Sequence, residues 1–129
     1  MPAAKQLSIM VVDDTSVSRA LLFDSLDQIG IKNVKMAKDG EEAFKLMSAA
    51  PCHLVISDFN MPKMDGMQLL RALRGNAPTS KVGFILVTGS GDKSLILEGK
   101  KFGLNNYLPK PFDANSLKTC IEAVVGKLS

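Results

Sequence analysis

Three aspartates of this 129-residue chain stand where short apolar runs end. Asp13 and Asp14 directly follow the run at 7–12, and Asp58 follows the run at 54–57. Carboxylates that are brought together repel one another, and each raises the pKa of its neighbours. A hard divalent cation removes that conflict, and Mg²⁺ takes carboxylate oxygens while it keeps some of its waters. The spacing therefore predicts a Mg²⁺ site, provided that the fold brings the three residues together.

Two further polar residues occupy similar positions. Thr88 ends the apolar run at 83–88, and Lys110 follows the run at 106–109. A lysine supplies a point charge for phosphate, and a threonine hydroxyl can donate a hydrogen bond to a phosphoryl oxygen. Gly89 would leave room for a tetrahedral group. Because a carboxylate is a competent nucleophile that forms an acyl phosphate, these residue types predict in-line phosphoryl transfer, which depends mainly on positioning and charge neutralisation.

Five β–α units are predicted to position these residues, because short apolar runs alternate with longer amphipathic segments. The predicted strands lie at 7–12, 33–37, 54–57, 83–88 and 106–109. The predicted helices begin at 15 or 16 and end near 28, span 39–49, 67–74 and 93–102, and begin again after the capping residue Asp113. The last helix carries a core stripe of Leu117, Cys120, Ile121, Val124, Val125 and Leu128.

This alternation predicts an α/β fold, in which a doubly wound parallel sheet is covered by helices on both faces, as one domain over 1–129. Ligands of such sheets bind outside the carboxyl ends of the strands. Each of the polar residues described above follows or ends a strand, so we expect all of them at one rim of the sheet.

The composition excludes several classes of protein. Hydrophobic residues at 46% and charged residues at 22% are typical of a globular domain, which needs no disulfide framework from two cysteines. The net charge of +3 is spread along the chain with one tyrosine and no tryptophan, so nucleic-acid binding is not predicted. The start of the chain lacks the apolar core of a signal peptide, and no run reaches the roughly 20 apolar residues of a membrane span. We expect a cytoplasmic monomer.

Other functions are weighed against the same residues. A phosphatase of the haloacid-dehalogenase type needs an aspartate two positions after its nucleophile, where this chain has Asn60. The glycines at 89–94 match neither the dinucleotide nor the P-loop pattern. A transition-metal site is not predicted, since His53 is the only histidine. Cys52 has no partner pattern, and Cys120 falls on the core stripe, so neither is predicted to be a catalytic thiol.

Four motifs, in order, resemble those of response-regulator receiver domains from Leu7 to the end of the chain. They are Val-Val-Asp-Asp at 11–14, Asp-Phe-Asn-Met-Pro-Lys-Met-Asp-Gly at 58–66, Val-Thr-Gly at 87–89 and Tyr-Leu-Pro-Lys-Pro-Phe at 107–112. The second of these is the most specific. The resemblance implies a flavodoxin-like sheet in strand order 2-1-3-4-5 and a cis peptide bond between Lys110 and Pro111.

The resemblance also implies a role for each matching residue. Asp58 would be phosphorylated by a histidine kinase, and the protein would catalyse only its own phosphorylation and dephosphorylation. Asp14 and Asp58 would bind Mg²⁺ through their side chains and Asn60 through its backbone carbonyl, whereas Asp13 would act through a metal-bound water. Thr88 and Lys110 would hold phosphoryl oxygens, and Tyr107 would be the aromatic switch residue.

Within the family, three features favour the CheY-like chemotaxis type: the end of the chain after the fifth helix, Asn60, and Tyr107. This type implies a kinase of the CheA-like kind and a flagellar motor switch protein, or another output partner, as target. A phosphate sink or a relay receiver is the alternative. Ser90, two positions after Thr88, bears on the dephosphorylation rate, and Gly99 is expected to weaken the fourth helix on an output surface around Ile96, Gly99 and Tyr107.

Overall fold

Five parallel strands form one sheet in the computed structural model, which describes residues 6–89 and 93–128. The strands are β1 (Ser8–Val12), β2 (Asn33–Ala37), β3 (Leu54–Asp58), β4 (Gly83–Thr88) and β5 (Asn106–Pro109). Their order across the sheet is β2-β1-β3-β4-β5, which confirms the expected topology. The chain adds β2 on one side of β1 and then adds β3, β4 and β5 on the other side, so the strand order switches between β1 and β3. In sheets of this kind a ligand site lies at the carboxyl ends of the strands beside that switch point.

Five α-helices connect and follow these strands. They are α1 (Ser16–Ile29), α2 (Gly40–Ala49), α3 (Gly66–Arg74), α4 (Lys93–Lys101) and α5 (Ala114–Val125). The segment after α3 contains a short 3₁₀ turn at Ala77–Thr79. Among the described residues, no helix combines the length and apolarity that a membrane span requires.

Side chains with hydroxyl or carboxylate groups start four of these helices. Thr15, Asp39, Asp65 and Asp113 each accept a hydrogen bond from a backbone N–H of the first turn. Such caps satisfy donors that have no partner within the helix, and each contributes about 1 kcal/mol. Two of the capped helices, α2 and α3, therefore begin next to loops that lead from the carboxyl ends of β2 and β3.

The core consists of two clusters, one on each face of the sheet. Alternate residues of β1 enter different clusters: Ile9 and Val11 face α1 and α5, whereas Met10 and Val12 face α2 and α3. The α1–α5 cluster includes the predicted stripe residues Leu117, Cys120 and Ile121, and the α2–α3 cluster includes Met47, Met67 and Phe84. With both faces covered, the polar strand-end residues have only the rim of the sheet to occupy.

Gly99 of helix α4 was expected to weaken the helix, but its surroundings show that it is needed for packing. Gly99 is buried, and a Cβ at this position would lie 2.8 Å from Leu104 Cδ2 and 3.2 Å from its Cβ. The glycine thus permits close packing between the helix and the segment that follows it. Ile96 is only 8% exposed and thus adds little to the surface of this structure, and an output surface around Ile96 and Gly99 after phosphorylation stays a prediction. The exposed apolar residue of this helix is Leu97, at 60%.

Candidate functional site

The carboxyl ends of β1 and β3 bring the three predicted aspartates together. Val12 pairs with Ser57 in the parallel ladder, so the residues that follow them, Asp13 and Asp58, are neighbours. One carboxylate oxygen from each of Asp13, Asp14 and Asp58 lies within 4.8 Å of the others. The predicted juxtaposition is therefore present, although 43 residues or more separate the two parts of the cluster in the chain.

Burial differs among the three carboxyl groups. Asp13 and Asp58 are buried, whereas Asp14 is exposed. Burial raises the pKa of Asp13, and the nearby charge of Asp58 acts in the same direction. Hydrogen bonds from the backbone N–H and the hydroxyl of Thr15 to Asp13 Oδ1, at 3.0 and 3.2 Å, oppose that rise in pKa. The cluster thus holds a carboxyl group that ionises at an electrostatic cost.

Lys110 supplies positive charge to this cluster. Its Nζ lies 3.0 Å from Asp58 Oδ1, and its side chain is 37% exposed, so the ion pair stands at the mouth of the site. Three carboxylates and one ammonium leave an excess of negative charge. The donors are all oxygens, and one side of the cluster is open to solvent. Mg²⁺ prefers hard oxygen ligands and retains waters, so the residues present fit this ion.

Thr88 and Lys110 are tied together through the backbone. The Lys110 N–H donates a 2.8 Å hydrogen bond to the Thr88 carbonyl, which extends the pairing of β4 with β5 beyond the last strand residues. Thr88 is buried, and an added Cβ at Gly89 would meet no atom within 4 Å. A side chain at Gly89 would thus meet no described atom, and room for a phosphoryl group beside Thr88 stays a prediction. The Lys110–Pro111 peptide bond is cis, as expected.

The loop after Asp58 returns closely to the strand that carries the aspartate. The Gly66 N–H, at the start of α3, donates to the Phe59 carbonyl at 2.9 Å. A Cβ at Gly66 would lie 2.6 Å from the Asp58 carbonyl oxygen, so only glycine allows this approach. Asn60 lies in this loop and is exposed. The glycine that ends the second motif is therefore required for steric reasons, and the aspartate before it caps α3.

Tyr107 lies on β5, the edge strand that pairs with β4. It is opposite Leu86, its side chain is 39% exposed, and its carbonyl accepts a hydrogen bond from the Cys120 thiol at 3.4 Å. The predicted switch residue is thus separated from Asp58 by strand β4 and lies three residues before Lys110. Its partner Leu86 belongs to the α2–α3 cluster, so the Tyr107 side chain lies on the face of the sheet opposite helix α5.

Two residues at the site were not predicted to act there. Arg19 of α1 donates from Nη1 to the Asp13 carbonyl oxygen at 2.6 Å. Thr15, the N-cap residue of α1, also donates to the Asp13 carboxylate. Sequence spacing carries a weak signal for both contacts, because the N-cap residue and the side chains of the first helical turns can reach back to the end of the preceding strand.

The other candidate sites remain outside this cluster. His53 is exposed at the opposite ends of the strands, where its Nδ1 accepts from the Ser8 N–H at 3.0 Å. Cys52 and Cys120 are buried, which raises the pKa of both thiols, that of Cys120 to about 11. A thiol of that kind is a poor nucleophile at neutral pH. Ser90 and the glycine-rich stretch around it lie outside the described residues.

Comparison with known proteins decides the family. A family model described as the response regulator receiver domain matches residues 9–122, most of the chain. The chain belongs to this family. Receiver domains bind Mg²⁺ at an acidic site, and the aspartate cluster of this receiver fits that property.

Similar receivers come from chemotaxis systems. The chain is 48% identical over 128 residues to the probable chemotaxis protein CheY of Rhizobium etli, which covers 99% of both chains. It is also 48% identical, over the full length of both chains and with a TM-score of 0.74, to the beryllofluoride-activated, Mg²⁺-containing NMR structure of CheY2 from Sinorhizobium meliloti. Vibrio cholerae CheY4 is 29% identical with a TM-score of 0.85, over 92% of this chain and 98% of that chain.

These relatives identify the receiver as one of the CheY type of chemotaxis response regulators. Receivers of this type are signalling proteins and not conventional enzymes. They imply a kinase partner and a downstream target in chemotaxis.

Proposed function

We propose that Asp58 accepts a phosphoryl group from a histidine kinase and that the modified protein signals in chemotaxis. The observation that carries this proposal is the contact of Lys110 Nζ with Asp58 Oδ1 at 3.0 Å, inside a cluster of carboxylates. Before the transfer, Lys110 contacts the carboxylate that attacks the phosphorus. After the transfer, the same ammonium group can bind an oxygen of the phosphoryl group on Asp58. Among the three aspartates, only Asp58 has such a partner in the described part of the chain.

The chemistry follows from the positions of these groups. An Asp58 carboxylate oxygen attacks the phosphorus of a phosphohistidine, a P–O bond forms, and the P–N bond breaks in line with it. The electron pair of that bond returns to the imidazole, which takes up a proton from water. Lys110 and the Thr88 hydroxyl stabilise the charge on the phosphoryl oxygens. Hydrolysis of the acyl phosphate by water later restores Asp58.

The Mg²⁺ ion would be held by Asp14 and Asp58 through their carboxylates, by Asn60 through its backbone carbonyl, and by Asp13 through a water. When bound, the ion supplies neutralising charge for the carboxylates and for the phosphoryl oxygens. Asp13 supports this arrangement from below because it is buried and fixed by Thr15. Asp14 supports it from the open side, where solvent reaches the site.

The partners of this proposal are a CheA-like chemotaxis kinase and a flagellar motor switch protein or another output target. We propose these partners, a cytoplasmic location and a monomeric state from the resemblance of the motifs to those of CheY-like receivers. The output surface would combine α4, β5 and α5, and Tyr107 would be its switch residue. Exposed Leu97 and the half-exposed Tyr107 ring are the apolar groups that a partner would find there.

The test is transfer from a radiolabelled phosphohistidine donor in the presence of Mg²⁺. Asp58→Asn should abolish labelling with the fold intact, because an amide has nearly the same shape but is not a nucleophile. Asp24→Asn, at an exposed carboxylate of α1, is the matched control and should be labelled like the wild type. The wild-type label should be released by hydroxylamine, as an acyl phosphate is. Labelling that persists in Asp58→Asn would place the acceptor elsewhere.

A further inference from the structure

The Asp13 carbonyl oxygen accepts a short hydrogen bond, 2.6 Å long, from Arg19 Nη1 of α1. We infer that Arg19 is a positioning residue, which holds the peptide between Asp13 and Asp14 in the orientation that Mg²⁺ binding requires. The inference rests on the proposed Mg²⁺ site and adds to it a residue that would touch neither the ion nor the phosphoryl group. Its effect would pass through the backbone of the two aspartates.

The need for a partner at this carbonyl follows from the end of the strand. The ladders of β1 end at Val12, which pairs with Ala37 on one side and Ser57 on the other. One more backbone bond, from the Asp13 N–H to the Ala37 carbonyl at 3.1 Å, continues beyond the strand. The Asp13 carbonyl lies past that point, where the chain turns toward α1. A guanidinium donor replaces the strand partner that the turn removes.

The atom that Arg19 holds belongs to a planar group shared by both aspartates. The Asp13 carbonyl and the Asp14 N–H are parts of one peptide plane, so fixing the oxygen fixes the direction in which the chain enters Asp14. The Asp13 side chain has its own support from Thr15. Among the described residues, no side chain holds the Asp14 carboxylate by a hydrogen bond or an ion pair. Its direction therefore depends on the backbone.

When Arg19 is replaced, the loss of its charge and the loss of its hydrogen bond to the Asp13 carbonyl are expected to change Mg²⁺ affinity in opposite directions. A cation beside the site repels Mg²⁺, so loss of that charge alone would tighten Mg²⁺ binding. Loss of the hydrogen bond to the Asp13 carbonyl would loosen the carboxylates and weaken Mg²⁺ binding. Residues that orient metal ligands from outside commonly change metal affinity by about 10- to 100-fold when they are replaced. The sign of the change in affinity thus separates the two roles.

The experiment compares Mg²⁺ titrations of wild type, Arg19→Met and Arg19→Lys, followed by backbone amide shifts. Methionine keeps an unbranched stem and good helix propensity but removes both the donor and the charge. We expect Arg19→Met to bind Mg²⁺ about tenfold more weakly. Lysine keeps the charge without the planar fork, and we expect an intermediate loss of about threefold. In the metal-free protein, the amides of Asp14 and Thr15 should shift in both variants.

Lys118→Met, at an exposed lysine of α5, is the control for the change in net charge and should bind Mg²⁺ like the wild type. Equal or tighter binding by Arg19→Met would overturn the positioning role, as would a lower melting temperature with unchanged affinity of the folded protein. If Arg19→Met does not fold, wild-type affinity in Arg19→Lys would overturn it instead. Failure of the wild type to bind Mg²⁺ would overturn the proposed metal site together with this inference, whereas wild-type binding that Arg19 does not affect would overturn this inference alone.

Discussion

The Asp13 carboxyl group destabilises the metal-free protein when it is ionised, because it is buried beside Asp58. Its pKa is raised above the ordinary value of 3.8, first by burial and then by the charge of Asp58. The stability that this group contributes is therefore present below pH 3.8 and is lost as the pH rises through the higher folded-state pKa. A bound divalent cation reverses this penalty, which links metal binding to the stability of the fold.

Asp13→Asn should stabilise the metal-free protein at pH 7, because it removes the ionised group while its amide oxygen can still accept from the Thr15 N–H. We expect the free energy of unfolding to rise by on the order of 1 kcal/mol, the scale of a screened charge repulsion at about 4 Å. Urea unfolding in EDTA at pH 7 and near pH 4 measures it, and the gain should shrink at the lower pH.

Asp24→Asn is the matched change at an exposed carboxylate of the neighbouring helix and should alter stability by less than about 0.5 kcal/mol. A loss of stability in Asp13→Asn at pH 7 would contradict the electrostatic account. Saturating Mg²⁺ should increase the stability of the wild type more than it increases the stability of Asp13→Asn.

At the scale of elements, the start of α3 packs closely against strand β3, which carries the proposed phosphoacceptor Asp58. Gly66→Ala would place a Cβ 2.6 Å from the Asp58 carbonyl oxygen and 3.1 Å from the Phe59 Cα, and neither backbone atom can move aside easily. Although alanine favours helices, we expect this variant to lose about 2 kcal/mol or more of stability. Urea unfolding measures the loss, and amide shifts in the loop at 59–65 should show the displacement.

Gly75→Ala provides the control at the other end of the same helix. A Cβ there would make only an ordinary contact, 3.6 Å from the Arg71 carbonyl oxygen. Its stability should therefore change little. If Gly66→Ala proved as stable as Gly75→Ala, the close approach of α3 to β3 would not be a constraint on the site.

The elements themselves follow closely from the sequence. The bounds of β2, β4 and β5 match the predicted ranges because polar or breaking residues flank each apolar run. The ends of helices are less well predicted, since they depend on backbone geometry: α4 ends at Lys101, one residue early, where the Phe102 N–H bonds to the Gly99 carbonyl in a tighter turn. The burial of Ile96 could not be predicted, because it depends on how α4 lies against the rest of the fold.

The candidate site shows the same division. Strand ends predict that Asp13, Asp14 and Asp58 meet, because parallel strands share one rim. The contact of Arg19 with the Asp13 carbonyl depends on a side-chain rotamer and on the angle at which α1 leaves β1, and neither has a pattern in one sequence. Likewise, Gly99 was interpreted through helix propensity, whereas its surroundings show a packing constraint.

For the whole molecule, the backbone hydrogen bond between Lys110 and Thr88 would connect the proposed phosphoacceptor to the proposed output surface. A phosphoryl group on Asp58 would draw both residues toward it, and their shared backbone hydrogen bond would carry the change into β5. The half-exposed Tyr107 ring could then become buried. Full burial of such a ring is worth about 1.5–3 kcal/mol, and because Tyr107 is only 39% exposed, burial of the remainder is worth roughly 1 kcal/mol, which shifts a two-state equilibrium by about fivefold.

Beryllofluoride with Mg²⁺ should therefore shift the amides of Leu97 and Tyr107 as well as those around Asp58. Thr88→Ala should still bind beryllofluoride but lose most of the distant shifts, because the first residue of the link is missing. Asp58→Asn, which cannot form the adduct, should show none. If the wild-type shifts remain confined to the loops at 59–65 and Gly89, the switch mechanism is wrong, and a phosphate sink becomes the better interpretation.

The two core clusters also differ in their expected sensitivity to oxidation. Met10, Met47 and Met67 are buried in the α2–α3 cluster, Met61 and Met64 pack against it, and the α1–α5 cluster contains no methionine among the described residues. Thioethers adapt their packing easily but become polar sulfoxides on oxidation. Peroxide would thus loosen only the side of the sheet that supports the phosphoacceptor loop. Oxidative damage would reach the chemistry of the receiver well before it reached the α1–α5 side of the core.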